Sequence, residues 1–170
     1  MIKILLMSLL IAGCSHTYQP LETVPHVDVE KYMGTWYEIA SFPNSFQKDC
    51  TGTTANYSLK PEGGVRVVNK CFKHKLDGEE SIATGVAEVV DTVTNSKLRV
   101  SFFWPFFGDY WIIDLAKDYT YAVVGHPNRE YLWILSRTPV MDQKIYEGIL
   151  GRVKNKGFDV GKLKITLQPE

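Results

Sequence analysis

Residues 34–43 read GTWYEIASFP. A glycine opens the stretch, two aromatics and an acid follow, and Thr35 to Ser41 has the β-branched and aromatic character of a half-buried strand. Nothing in it is a nucleophile, a metal cluster or a phosphate loop. The question it raises is what a strand beginning Gly-Thr-Trp-Tyr is built to do.

Working outward toward the C-terminus, the pattern stays almost entirely strand. TTANYSLK, VRVVNKCFK, ATGVAEVVD, KLRVSFF, DYWIIDLA, TYAVVGH and YLWILSR follow one another, separated by PEGG, KLDGEE, WPFFG, KDY and PNRE. Gly, Pro, Asn and Asp punctuate runs rich in Val, Ile, Tyr and Trp. With the opening stretch this predicts eight short antiparallel strands joined by short connections.

The exception is PVMDQKIYEGILGRVKNKG, where Met141, Ile145, Ile149 and Val153 recur every fourth residue against polar Gln143, Lys144, Glu147 and Arg152. That spacing predicts an amphipathic helix of about four turns, stopped at Gly157 and laid on the sheet by one stripe. KLKITLQ reads as a final strand. DVEKYMG, just before the opening stretch, reads as a short helical turn with Asp28 as its cap. Eight meandering strands and one late helix fit either a closed up-and-down barrel or a sandwich. Closure removes the exposed edges, and an eight-stranded barrel is wide enough for one small ligand.

Outward on the other side, the chain begins MIKILLMSLLIAGCS. Lys3 precedes an apolar run, Ile4 to Ile11, too short for the roughly 20 residues a bilayer span needs. Residues 1–13 therefore read as a signal peptide. Ile11-Ala12-Gly13-Cys14 resembles the bacterial lipoprotein signal, which implies cleavage before Cys14 and lipidation of its thiol; Ser15 after it implies the outer membrane. Residues 14–27 are polar or proline-containing and read as the lipidated cysteine and a tether. Residues 28–170 make one domain. Zero formal net charge, without a basic run or acidic tail, gives no argument for nucleic acid.

Cys50 and Cys71 remain after Cys14. Export permits a disulfide, which would close a loop of about 20 residues and contribute roughly 3 kcal/mol in the chain-entropy model. Metal binding is the rival reading, without a CxxC pair or clustered histidines to support it.

The opening stretch resembles the Gly-x-Trp signature of the lipocalins. DLAKDYTYAVV is similar to their second signature and YLWILSRTP to their third. The bacterial outer-membrane lipocalins are closer still, through YSLKPEGGVRVVNK, LRVSFFWPFFG and the GFDVGKL end. The resemblance covers about residues 28–168. It implies an all-β fold, an eight-stranded antiparallel up-and-down barrel with one C-terminal helix packed outside. It also implies a role for the opening strand: Trp36 plugs the narrow end, Arg137 packs over its ring, and Gly34 lets the chain turn into the strand.

The same resemblance implies which side chains line the interior. It turns Tyr131 and Trp133 inward, with Leu98, Val100 and Phe102 on the matched parity of KLRVSFF; charged Arg99 and polar Ser101 on the opposite parity support that choice independently. It also places Ala55, Tyr57, Val67, Asn69, Tyr110, Ala122 and Val124 inside. Tyrosine hydroxyls and Asn69 would orient a polar group, and the apolar residues would accommodate a chain. A cavity filled by these same aromatics is the opposing reading. In the most aromatic stretch, FFWPFFGDYW, Trp104, Phe106 and Phe107 are read as mouth residues contacting an acyl chain or bilayer lipid, or else as a homodimer contact or a self-packed loop.

Catalytic chemistry does not assemble. His16, His26, His74 and His126 are scattered, Ser41, Ser45 and Ser136 lack a glycine elbow, and Asp114 and Asp118 have the context of strand and turn. No enzyme, cofactor or metal is expected. The expected function is binding, storage or transport of a fatty acid or lysophospholipid by a protein anchored through Cys14 to the outer membrane, on its periplasmic face. The alternatives are a carrier of haem or another hydrophobic small molecule, and an envelope protein-interaction module that uses the aromatic loop.

Overall fold

The computed structural model describes residues 19–169. The opening stretch forms the first of nine strands: β1 Gly34–Ser41, β2 Cys50–Leu59, β3 Val65–Lys73, β4 Glu80–Val89, β5 Lys97–Phe103, β6 Phe106–Leu115, β7 Tyr121–Gly125, β8 Leu132–Ser136 and β9 Lys164–Ile165. Two α-helices, α1 Val29–Tyr32 and α2 Gln143–Asn155, flank them, with short 3₁₀ turns at Ser45–Gln47 and Val160–Lys162. Each of β2 to β8 pairs with the next, and β1 pairs with both β8 and β2, so the eight long strands close into a barrel. The barrel reading of the sequence holds and the sandwich does not.

β1 starts at the closed end. Gly34 takes φ +94°, a conformation that side chains rarely adopt, and a Cβ there would lie 3.4 Å from an Arg137 guanidinium nitrogen. Just before it, Asp28 caps α1 by accepting the Lys31 N–H at 3.2 Å. In its lower half β1 pairs with β2, and in its upper half with β9. The C-terminal segment thus enters the gap where β1 and β2 part. The Gln168 side-chain amide donates to Glu38 O and Thr53 O, both at 2.8 Å, and stitches the two strands together. The final strand expected over KLKITLQ is regular only at Lys164–Ile165.

Apolar residues sort into two cores by strand parity. The inner core fills the lower barrel with Trp36, Val67, Leu98, Ile112, Ala122 and Val124. The outer core lies beneath α2 and contains Ile39, Ile113, Val123, Ile134, Ile149 and Val153. Tyr146 and Leu150 also pack there, whereas Ile145 is exposed. The helix is present as expected, but its buried stripe is rotated away from Ile145. A strict four-residue repeat drifts by about 40° per step around a helix with 3.6 residues per turn, so it cannot stay on one face.

Residues 19–27, the described part of the expected tether, lie on the barrel. Leu21 is buried in the outer core and Val27 in the inner one. Backbone bonds from Val24 N–H to Ile112 O (3.0 Å) and from Val27 N–H to Thr94 O (2.7 Å) fix the segment. Polar composition suggested a free linker; two inserted apolar side chains and satisfied amides dock it instead. Cys14 and the signal region lie outside the described residues.

Candidate functional site

The site begins at its floor. Trp36 has no exposed surface, and its indole N–H donates to Tyr32 O at 2.8 Å. Above the ring the Arg137 guanidinium carbon lies 3.7 Å from the centroid. Arg137 also donates to Thr35 O at 2.9 Å and Lys31 O at 2.7 Å, so one side chain ties β8's exit to α1 and β1. This is the floor arrangement expected of Gly34, Trp36 and Arg137.

Three phenols stand on that floor. Tyr110 OH is 2.8 Å from Tyr32 OH and 2.9 Å from Tyr57 OH. Burial pushes all three ionisations upward: Tyr57 to about 12, and Tyr32 and Tyr110 well above the usual phenol range. At neutral pH the deep end of the barrel is therefore polar but uncharged.

Over the tyrosines lies a cavity of about 520 Å³, within the usual range for small-molecule sites. It is open at the end opposite Trp36. Ala55, Tyr57, Val67, Asn69, Val100, Phe102, Tyr110, Tyr131 and Trp133 all line it. Three residues expected in the lining do not. Leu98, Ala122 and Val124 face the same interior but are buried in the packed core. Parity identifies the inward face; it does not say where along the strand packing ends and open space begins.

Phe102 reaches the lining through an irregularity in the β5–β6 pairing between Val100 and Phe103. Its ring occupies the space beside Gly85, where a Cβ would lie 2.8 Å from the ring and 2.5 Å from Ser101 O. Glycine at 85 thus makes room for phenylalanine at 102.

Sequence reasoning missed a polar strut on the β1 wall. The Glu38 carboxylate, buried, accepts from Ser41 Oγ at 2.9 Å, Thr166 Oγ1 at 2.6 Å and Gln47 Nε2 at 2.8 Å. Gln47 Oε1 in turn accepts the Trp133 indole N–H at 2.9 Å. Trp133 stacks on Tyr131, with centroids 5.9 Å apart and an 11° interplanar angle, and Phe46 leans on both rings. Glu38 was legible, since it shares the inward parity of Trp36 two residues earlier. Phe46 and Gln47 sit on a loop with no period to reveal them. Two polar atoms of cavity-lining residues, Thr53 Oγ1 and Asn69 Oδ1, are buried without a hydrogen-bond partner.

At the rim, His126 is 2.6 Å from Asn128 Oδ1 through Nδ1 and 3.8 Å from Asp109 Oδ2 through Nε2. Cys50 and Cys71 form a disulfide between the start of β2 and β3, at the upper wall. Phe103 and Phe106 pair across the β5–β6 turn with stacked rings, and Phe103, Trp104 and Phe106 are 75%, 80% and 71% exposed. Phe107 departs from its expected place at the mouth: alternation turns it to the outer wall, where the Arg99 guanidinium lies 4.6 Å from its centroid. No group of three or more side chains suited to a metal ion occurs among the described residues, and none of their helices is long and apolar enough to cross a membrane.

A closed floor, an open mouth and this strand order are matched by the lipocalin-like domain model, which covers residues 27–168. The chain is a lipocalin. This lipocalin is 39% identical over 162 residues to the outer membrane lipoprotein Blc of Escherichia coli K12, covering 94% of this chain and 91% of that protein. It is also 39% identical over 159 residues to temperature-induced lipocalin-1 of Arabidopsis thaliana, covering 88% and 84% of the two chains. Among solved structures, insecticyanin of the tobacco hornworm Manduca sexta superposes on the lipocalin with a TM-score of 0.71 at 22% identity, covering 90% of this chain and 87% of that one.

Proposed function

We propose that this lipocalin binds and carries a single-chain lipid, a fatty acid or a lysophospholipid, in the bacterial envelope, held at the outer membrane by a lipid-modified Cys14. The observation that carries the reading is the open cavity of about 520 Å³ between the tyrosine floor and the aromatic rim. An acyl chain along Val67, Val100, Phe102 and Trp133 would gain about 0.8 kcal/mol per fully buried CH₂ before ordering costs. A charged headgroup would stay at the mouth, because burying it among neutral phenols without a counter-charge is expensive. Thr53 Oγ1 and Asn69 Oδ1 would give a hydroxyl or amide near the headgroup a partner, and the partner would satisfy them. The outer membrane assignment rests on the likeness to a protein named an outer membrane lipoprotein and on the cysteine signal.

The role is binding without catalysis. Asp114 is ion-paired to Arg152 at 2.7 Å and Asp118 accepts from Thr120, so neither is poised as an acid or base in the cavity. Competition of fatty acid, lysophospholipid and haem against a fluorescent acyl probe tests the assignment. Displacement by the two lipids and not by haem is expected. Displacement by haem alone would replace the lipid with a planar ligand.

A further inference from the structure

The described chain begins at the open end of the barrel. The Gln19 carbonyl accepts from the Arg129 guanidinium at 2.6 Å, and Arg129 belongs to the β7–β8 turn on the mouth side. From there the segment runs down the outside. Lys156 Nζ, just past the C-terminal end of α2, holds Glu22 O at 3.2 Å; the chain then passes Ile112 and reaches Thr94, beside the closed end, at Val27. Five residues separate Cys14 from Gln19, and however they fold they reach no farther than about 17 Å. A lipid on Cys14 therefore holds the mouth, and not the Trp36 floor, near the membrane.

The mouth has the surface for that position. The β5–β6 turn projects Phe103, Trp104 and Phe106 into solvent, and Phe46, 62% exposed, adds to the apolar rim. Charge on the neighbouring loops is mixed: Lys48, Lys73 and Lys75 are interspersed with Asp49, Asp77 and Glu79, and Lys75 pairs with Asp77 at 3.4 Å. Such a rim has no net preference for an anionic surface and would attach through its rings, which suit the boundary between headgroups and acyl chains.

We infer that the open end of this lipocalin sits on the bilayer, with the Phe103–Phe106 turn inserted among the acyl chains and the cavity opening directly onto lipid. The inference rests on the lipid anchor and cargo proposed above. Its consequence is that a single-chain lipid passes between bilayer and cavity along the aromatic rim without crossing water. Trp104 is the reporter, because it is exposed at the tip and is not part of the cavity lining.

The test uses the full lipid-modified protein reconstituted into vesicles of phosphatidylethanolamine and phosphatidylglycerol containing phosphatidylcholine brominated on its acyl chains. Bromine quenches an indole only at close approach. The wild type should be quenched, and the quenched component should largely vanish in Trp104→Leu, although the anchor keeps both proteins on the vesicle. High salt should leave the quenching unchanged. An unquenched wild type, or equal quenching in both proteins, would overturn the inference; brominated lipid inside the cavity would reach Trp133 and produce the second result. A dimer that buries Trp104 against a second copy would also overturn it, and would show as cross-linked pairs with an unquenched Trp104. Mass spectrometry of bound lipid and of Cys14 in the same sample keeps the readings apart. Trp104-dependent quenching without cargo retains the docking and removes the carrier, whereas cargo without such quenching does the reverse.

Discussion

The Arg137 guanidinium lies 3.7 Å from the centroid of the Trp36 ring, sealing a side chain that has no exposed surface. The pair joins the opening strand to the end of β8, so the floor is a stability element. Trp36→Ala should cost about 3–5 kcal/mol, the usual loss for a large buried aromatic, enough to bring a domain of this size near its unfolding threshold. Chemical denaturation of the two proteins checks it.

Trp133 should behave differently. It is half-buried, lines the cavity and is held by Gln47 and Tyr131. Trp133→Ala should weaken acyl-probe binding at least tenfold, corresponding to about 1.4 kcal/mol or more, and lower stability far less than Trp36→Ala. Probe titration and denaturation of the same sample separate the two effects. Loss of stability with unchanged binding would contradict the division between floor and cavity.

The tyrosine floor predicts an alkaline limit. A phenol whose ionisation is raised on folding holds its proton in the native state after the unfolded chain has released it. Stability from Tyr57 is thus fully present below pH about 10, the ordinary phenol value, and declines as pH rises toward about 12. Tyr32 and Tyr110 are shifted in the same direction and steepen the decline. Denaturation midpoints measured across this window should fall, and fall less steeply for Tyr57→Phe.

The Cys50–Cys71 bridge spans a sequence separation of 21. Its reduction should lower stability by about 3 kcal/mol in the chain-entropy account. Thiol titration of the unreduced, unfolded protein should find neither cysteine free.

Much of this was legible because a barrel imposes simple rules. Alternation on KLRVSFF set Val100 and Phe102 inward and Arg99 outward, and punctuation by Gly, Pro, Asn and Asp divided the strands. What escaped depends on the third dimension. Leu98, Ala122 and Val124 share the inward parity of the lining, yet neighbours fill the space above them. Glu38 reads as a surface acid until Gln47, Ser41 and Thr166 converge on it from three separate segments. Residues 19–27 read as linker because their composition is polar, while Leu21 and Val27 decide their placement. Phe107 was grouped with its aromatic neighbours, although one step along a strand reverses the face.

The most direct test of the lipid-carrier account is native mass spectrometry of protein extracted mildly from membranes. The account predicts a complex with one single-chain lipid, lost on delipidation and restored by one equivalent of fatty acid or lysophospholipid. Extracted protein that carries no lipid, and delipidated protein that takes up neither, would contradict it.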